Sequence, residues 1–317
     1  MPQLSVRDLH VAVREVEAVR GVSFDLAPGH RLGLIGESGS GKSLTALAVM
    51  GLLPDGLSAR GEVGYGGANL LAMEEEQLCR LRGDRISMIF QEPMTALNPV
   101  MRVGAQVAEP LLIHGRASSR REAEKQALEL LRRVQIPDPE EKLRAYPHQL
   151  SGGQRQRVMI AAAMACSPDL LVADEPTTAL DVTVQAQILK LLNRMVDEEG
   201  ASLLLITHDL AVVAQVCEDV MVMYGGLIVE SGSAAEVFET ARHPYTVGLM
   251  EAIPSLEATP SDRHLRAIPG AVPGLGAFPS GCPFRNRCAR ATEQCAEMPP
   301  LSTIGGHLAA CWHPVLD

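Results

Sequence analysis

The chain has 317 residues, 46% of them hydrophobic and 21% charged, and a net charge of −10. That length supplies material for about two domains and a substantial core, while the acidic balance argues against a duplex nucleic-acid binder, whose surface is ordinarily basic. No apolar run approaches the ~18–20 residues that span a bilayer, and residues 1–8 hold no apolar secretory core, so the protein is expected in the cytoplasm.

Residues 4–13 place Leu4, Val6, Leu9, Val11 and Val13 in near alternation with polar side chains, which predicts a half-exposed strand. Val19, Val22, Phe24 and Leu26 predict a second. Pro28-Gly29 turns the chain into a short apolar strand, Arg31 to Ile35. It ends at Gly36-Glu37-Ser38-Gly39-Ser40-Gly41-Lys42-Ser43, which fits the G-x-x-x-x-G-K-S pattern of a P-loop, and residues 43–50 then read as a helix. Strand, glycine-rich loop and helix is the context that pattern needs: the glycines let successive N–H groups converge on phosphate oxygens at a helix N-terminus. Lys42 can reach the β- and γ-phosphates, and the Ser43 hydroxyl can ligate Mg²⁺.

Residues 84–90 predict another strand, with Gln91 after it. Residues 100–165 read as helical, and 120–134 carries charge on one side with Ala127, Leu128, Leu130, Leu131 and Val134 on the other. The apolar runs 170–174 and 203–207 predict buried parallel strands. Asp174 ends the first, where doubly wound sheets bind ligands. Glu175 follows and can accept a proton from a water attacking the γ-phosphate. Residues 220–230 predict a final antiparallel hairpin turning at Gly225-Gly226. After residue 240 Pro and Gly accumulate, and the segment is expected to be irregular, short of core and in need of a staple.

Leu150-Ser151-Gly152-Gly153-Gln154 and Asp174-Glu175, downstream of the P-loop, resemble the ATP-binding subunits of ABC transporters across roughly residues 1–240. The resemblance implies an α/β P-loop ATPase: a RecA-like core with an antiparallel β subdomain and a helical subdomain at about 92–165. It implies nucleotide contacts from Gly36, Ser38, Gly39, Ser40, Gly41, Lys42, Ser43 and Leu44. Mg²⁺ would be held by Ser43, Gln91 and Asp174, and catalysis would use Glu175, Gln91 and the switch histidine His208. Ser151, Gly153, Gln154 and the D-loop residue Asp181, in Ala179-Leu180-Asp181, would close on ATP held by a second subunit. The local chemistry agrees, since Ser151 opening a helix at Gln154 makes a second anion-binding N-terminus. One position departs from the family pattern. No aromatic residue precedes Phe24 to stack on adenine, so Val19 or a side chain from residues 10–16 is expected there.

Cys79, Cys166 and Cys217 are scattered, the last two in apolar helical contexts that suit buried thiols. The tail carries Cys282-x5-Cys288-x6-Cys295-x15-Cys311. Four thiolates can hold Zn²⁺ or a [4Fe–4S] cluster; the absence of a C-x2–4-C knuckle favours the bulkier cluster, with zinc as the alternative and empty or paired thiols as a third. His243-Pro244-Tyr245-Thr246, Ile268-Pro269-Gly270, Gly281-Cys282-Pro283-Phe284 and Arg287-Cys288 resemble the C-terminal extension, here 241–317, of oligopeptide, dipeptide and nickel importer ATPases. Members of that group can carry an iron–sulfur cluster. The partners so implied are two membrane-spanning permease subunits, a second ABC ATPase (another chain or a second copy) and, indirectly, an extracytoplasmic substrate-binding protein, with no nucleic acid. The protein would sit peripherally on the cytoplasmic face of the membrane. The alternatives are a non-transport ABC ATPase, disfavoured by a single cassette with about 58 residues between Gln91 and the signature, and an ATP-dependent iron–sulfur regulator.

Overall fold

The computed structural model describes residues 3–91, 96–178, 180–252 and 267–316. β1 (Leu4–Val13) and β2 (Val16–Leu26) form an antiparallel hairpin. The break in alternation between Val6 and Leu9 is a register shift at Asp8, whose φ of 46° kinks the strand and returns Leu9 and Val11 to the buried side. β3 (Arg31–Ile35) leads through the P-loop into α1 (Lys42–Met50). β4 (Leu57–Tyr65) and β5 (Ala68–Asn69) then complete a four-stranded sheet in the order β2-β1-β4-β5.

The sequence pattern does not predict β4. Only Val63 and Tyr65 of its nine residues are buried, while Arg60, Gly61 and Glu62 are exposed, so too few core positions remain to show a period. Nor does the pattern predict α2 (Glu75–Leu81). β6 (Ile86–Ile89) follows, and the helical stretch resolves into α3 (Val103–Ile113), α4 (Arg120–Arg133), α5 (Pro139–Lys142) and α6 (Gly152–Ala163).

The remainder of the cassette runs β7 (Leu170–Asp174), α7 (Val182–Glu199), β8 (Ser202–Thr207), α8 (Leu210–Val216), β9 (Asp219–Tyr224), β10 (Leu227–Ser233) and α9 (Ala234–Glu239). α10 (Pro244–Glu251) opens the extension. β6, β7, β8, β3 and β9 pair in parallel, and β9 and β10 form the expected hairpin around Gly225-Gly226.

That hairpin is not the last pairing. The extension, expected to be irregular, contributes β11 (Ser302–Ile304) and β12 (His307–Ala309). β12 pairs with β10, so the eight-stranded sheet runs β11-β12-β10-β9-β3-β8-β7-β6. A buried cluster locks this junction. Glu230 and His307 are both fully buried and joined at 2.7 Å, and the Glu230 carboxylate also accepts from the backbone N–H groups of Arg242 and His243.

The main sheet has an apolar core on each face. Leu170, Val172, Leu204 and Ile206 pack with α1 and the small sheet, whereas Leu171, Ala173, Leu203 and Leu205 pack with the helices on the other side. Adjacent strand residues point to opposite faces, so a sheet covered on both sides requires continuous apolar runs. Each fully buried aliphatic side chain contributes roughly 1.5–3 kcal/mol. Among the described residues, no helix is long and apolar enough to cross a membrane.

Candidate nucleotide site

The P-loop is held in place by contacts that exclude side chains. Gly36 has a φ of 150°, and a Cβ there would meet the Met223 carbonyl at 2.2 Å; Gly41 has a φ of 105° and sits against the Ala18 carbonyl and the Met223 side chain. Gly41 is also the N-cap of α1 and offers no side-chain acceptor, which leaves the first N–H groups of that helix to another partner. Ser38, Gly39 and Ser40 complete the loop ahead of Lys42, Ser43 and Leu44 at the start of α1. Lys42 is buried, and its Nζ donates to the carbonyls of Gly36 at 2.7 Å and Glu37 at 3.0 Å. Burial pushes its ammonium below the ordinary lysine range, against the opposing charges of Glu175, Asp174 and Glu37.

The carboxylates stand where the parallel strands end. Ser43 Oγ donates to Asp174 Oδ1 at 3.2 Å, joining the two groups expected to hold Mg²⁺. Burial pushes the Asp174 carboxyl above its ordinary value, partly countered by that hydrogen bond. A carboxylate so placed suits a cation, which would stabilise its charged form. Glu175 has a φ of 47°, an uncommon backbone for a side chain of its size. Its Oε2 accepts from Gln91 Nε2 at 3.0 Å and from Thr178 Oγ1 at 2.7 Å, and its Oε1 lies 3.2 Å from His208 Nδ1. Burial opposes ionisation, but the Thr178 and His208 hydrogen bonds carry its pKa below the ordinary glutamate value. It is therefore an ionised acceptor at neutral pH. Lys42, Ser43, Gln91, Asp174, Glu175 and His208, spread over 167 positions, form one group of facing side chains.

The signature lies outside that group. Ser151 caps α6, accepting from Gln154 N–H at 3.3 Å while Gln154 Oε1 accepts from Ser151 N–H at 3.0 Å. Ser151 and Gly152 are exposed. Asp181 caps α7 by accepting from Val184 N–H at 3.0 Å, and Val184 packs on Gly153. Signature and D-loop thus form one surface. Ala179 falls outside the described residues.

Val19 does not serve as an adenine platform. It is fully buried beneath Gly41, where an added Cβ would lie 3.3 Å from the valine methyl. Val16, 38% exposed at the β1–β2 turn, is the apolar candidate within residues 10–16.

Sequence reasoning does not anticipate that the extension reaches the P-loop. Arg287 Nη1 and Nη2 donate to the two Glu37 carboxylate oxygens at 2.6 and 3.1 Å, and Glu37 N–H donates to the buried Tyr245 hydroxyl at 2.7 Å. The guanidinium lies over the rings of Tyr224 and Phe284. Both residues stand in motifs visible in the tail, but only the folded chain brings them to residue 37.

Cys282, Cys288, Cys295 and Cys311 line one small pocket together with Phe284, Trp312 and His313. All four are free thiols. Burial raises the thiol pKa of Cys282 and Cys288, and that of Cys311 to about 11. Among the described residues, no three His, Cys, Asp or Glu side chains stand close enough to hold a single metal ion. That lends no support to the expected iron–sulfur cluster or to the zinc alternative, each of which needs four ligands gathered at one site.

The sequence profile of the ABC transporter family matches residues 19–178, and that of the oligopeptide/dipeptide transporter C-terminal region matches residues 229–295. The chain is 52% identical over 317 residues to the probable peptide ABC transporter ATP-binding protein y4tR of Sinorhizobium fredii, covering 98% of this chain and 94% of that one. It is 48% identical to the oligopeptide transport ATP-binding protein OppD of Escherichia coli, covering 98% and 93%. The dimeric ATP-binding cassette MJ0796, solved with ADP and Pi, superposes with a TM-score of 0.65 at 28% identity, over 73% of this chain and 98% of its own.

Proposed function

This chain belongs to the ABC transporter ATP-binding family, in its oligopeptide/dipeptide group, and from that premise we propose that it hydrolyses ATP to energise peptide import through partner membrane subunits. The observation that carries the reading is the joining of Ser43, Asp174, Glu175, Gln91 and His208 beside the P-loop. ATP phosphates would lie on the loop N–H groups of residues 36–44, with Lys42 against the β- and γ-phosphates. Mg²⁺, held by Ser43, Asp174 and Gln91, would neutralise phosphate charge when bound. Glu175 takes a proton from water as that water attacks the γ-phosphorus, and the bond from γ-phosphorus to the bridging β-oxygen breaks, leaving ADP and phosphate. Gln91 and His208 orient Glu175 and the attacking water.

The exposed signature supports a head-to-tail dimer, in which Ser151, Gly153, Gln154 and Asp181 complete the site of a second ATPase subunit. The reading takes residues 1–240 as the cassette, with the helical subdomain at about 92–165, and 241–317 as the extension. It places the protein peripherally on the inner face of the membrane. A nickel-type solute is the second substrate class, because specificity resides in the membrane and binding-protein subunits.

A [4Fe–4S] cluster in the tail belongs to the same reading. Its support is the shared pocket of four thiols; a cubane stands between its ligands, so the thiolates need not touch one another. Cys282, Cys288, Cys295 and Cys311 would hold it, and it would staple a segment short of core. Anaerobic purification with iron and sulfide analysis tests it: about four irons per chain support the cluster, and iron-free protein removes it.

The experiment for the function as a whole is reconstitution in proteoliposomes with peptide-importer membrane subunits and a binding protein. ATP turnover stimulated by peptide, and abolished by Glu175→Gln, is expected. Stimulation by nickel alone would move the substrate class, and turnover indifferent to either would overturn the transport reading.

A further inference from the structure

We propose that Arg287 is a positioning residue for the ATP site: it neutralises and orients Glu37 of the P-loop, making nucleotide affinity depend on the C-terminal extension. The proposal rests on the ATPase reading of the P-loop. Glu37 places an acid inside a loop built to receive anions, and its charge is felt at the Lys42 ammonium. Left unpaired, that carboxylate would repel the phosphates.

Arg287 answers it with a two-pronged ion pair. Its side chain is only 6% exposed, against 29% for Glu37, so little solvent screens the contact. The guanidinium is fixed on every side. Its Nε donates to the Pro269 carbonyl at 2.9 Å, Nη1 reaches the Tyr224 hydroxyl at 3.3 Å, and two aromatic rings bracket it. Tyr245 holds the backbone of the same P-loop residue through Glu37 N–H. Both the side chain and the main chain of Glu37 are therefore held by residues beyond the cassette.

The packing agrees. Two of the four Tyr and two of the five Phe in this aromatic-poor chain, Tyr224, Tyr245, Phe278 and Phe284, pack together at this junction with tilted and edge-to-face rings. Arg287 itself closes a turn onto the Phe284 carbonyl at 2.9 Å and immediately precedes Cys288. The turn that carries one cysteine of the tail pocket thus also carries the cation that neutralises the P-loop acid.

The test is MgATP binding to the full-length protein by calorimetry, for wild type, Arg287→Ala, Glu37→Gln and the double variant, with nucleotide-free melting measured alongside. Arg287→Ala is expected to weaken binding about tenfold, and adding Glu37→Gln is expected to restore it to within about twofold. A merely structural role for Arg287 would not be rescued by removing the charge it faces. Arg287→Gln, which keeps length and packing without charge, should give the same loss and serves if the alanine variant does not fold. Wild-type affinity in Arg287→Ala or Arg287→Gln, or a double variant as weak as the single, would overturn the proposal. A wild type that binds no MgATP would overturn the ATPase reading with it.

Discussion

Gln91 Nε2 donates to Glu175 Oε2 at 3.0 Å, so the segment leaving β6 and the segment leaving β7 meet at one carboxylate. Any displacement of Gln91 therefore acts directly on the carboxylate proposed to accept the proton from water. Glu175→Gln keeps the shape of this contact and removes the base. Turnover should fall by about 10²–10⁴-fold while MgATP binding persists. Steady-state hydrolysis and nucleotide affinity, measured on the same preparation, check both halves.

Ser151→Arg should separate binding from assembly. Among the described residues the exposed N-terminus of α6 makes no hydrogen bond to its own P-loop, so MgATP affinity of the single chain should stay within about twofold of wild type. In a Glu175→Gln background the ATP-driven dimer should be lost, because a bulky cation would occupy the place of the partner's nucleotide. Light scattering with and without MgATP reads the outcome; a dimer that survives would remove the signature from the interface.

Asp174→Asn should exchange function for stability. Burial raises the Asp174 pKa above its unfolded value. Its favourable contribution is therefore complete below the unfolded pKa of ~3.9 and is lost as pH rises through the folded one. Ionisation of Asp174 in the nucleotide-free protein therefore meets a burial penalty that the amide does not. The variant should melt higher than wild type by about 2–4 °C at pH 7, and the gap should close as pH falls towards 4. Stabilisation by MgATP should disappear in the same variant. A lower melting point at pH 7 would mean that the Ser43 contact outweighs burial.

Glu230→Ala should loosen the junction between cassette and extension. Removing this carboxylate leaves the buried His307 imidazole and two backbone N–H groups without their acceptor. A loss of roughly 3–5 kcal/mol is expected, measured by denaturant unfolding. Glu230→Gln, which still accepts hydrogen bonds, should lose less.

Much of the site is legible in the primary structure because its chemistry is local. A glycine-rich turn before Lys42-Ser43 and an acid pair behind a four-residue apolar run each carry their meaning within a short window. Alternation specifies β1, which has one buried face, and apolar runs specify β3, β7 and β8, since a sheet covered on both faces leaves no freedom in those positions. β4 escapes because only Val63 and Tyr65 of its nine residues are buried, too few to show a period. β11 and β12 escape because three-residue strands have no periodicity of their own and exist only where β10 offers an edge.

What only the tertiary structure decided are contacts between distant segments. Glu37 and Arg287 lie 250 positions apart and meet at 2.6 Å, and nothing in either local sequence specifies that pairing. It follows from β12 joining the cassette's sheet and from the aromatic junction around Tyr224 and Tyr245. The sequence by itself determined which groups could hold phosphate, because that depends on residue type and spacing. The folded chain decided which charge faces which, because that depends on distance and on the exclusion of water.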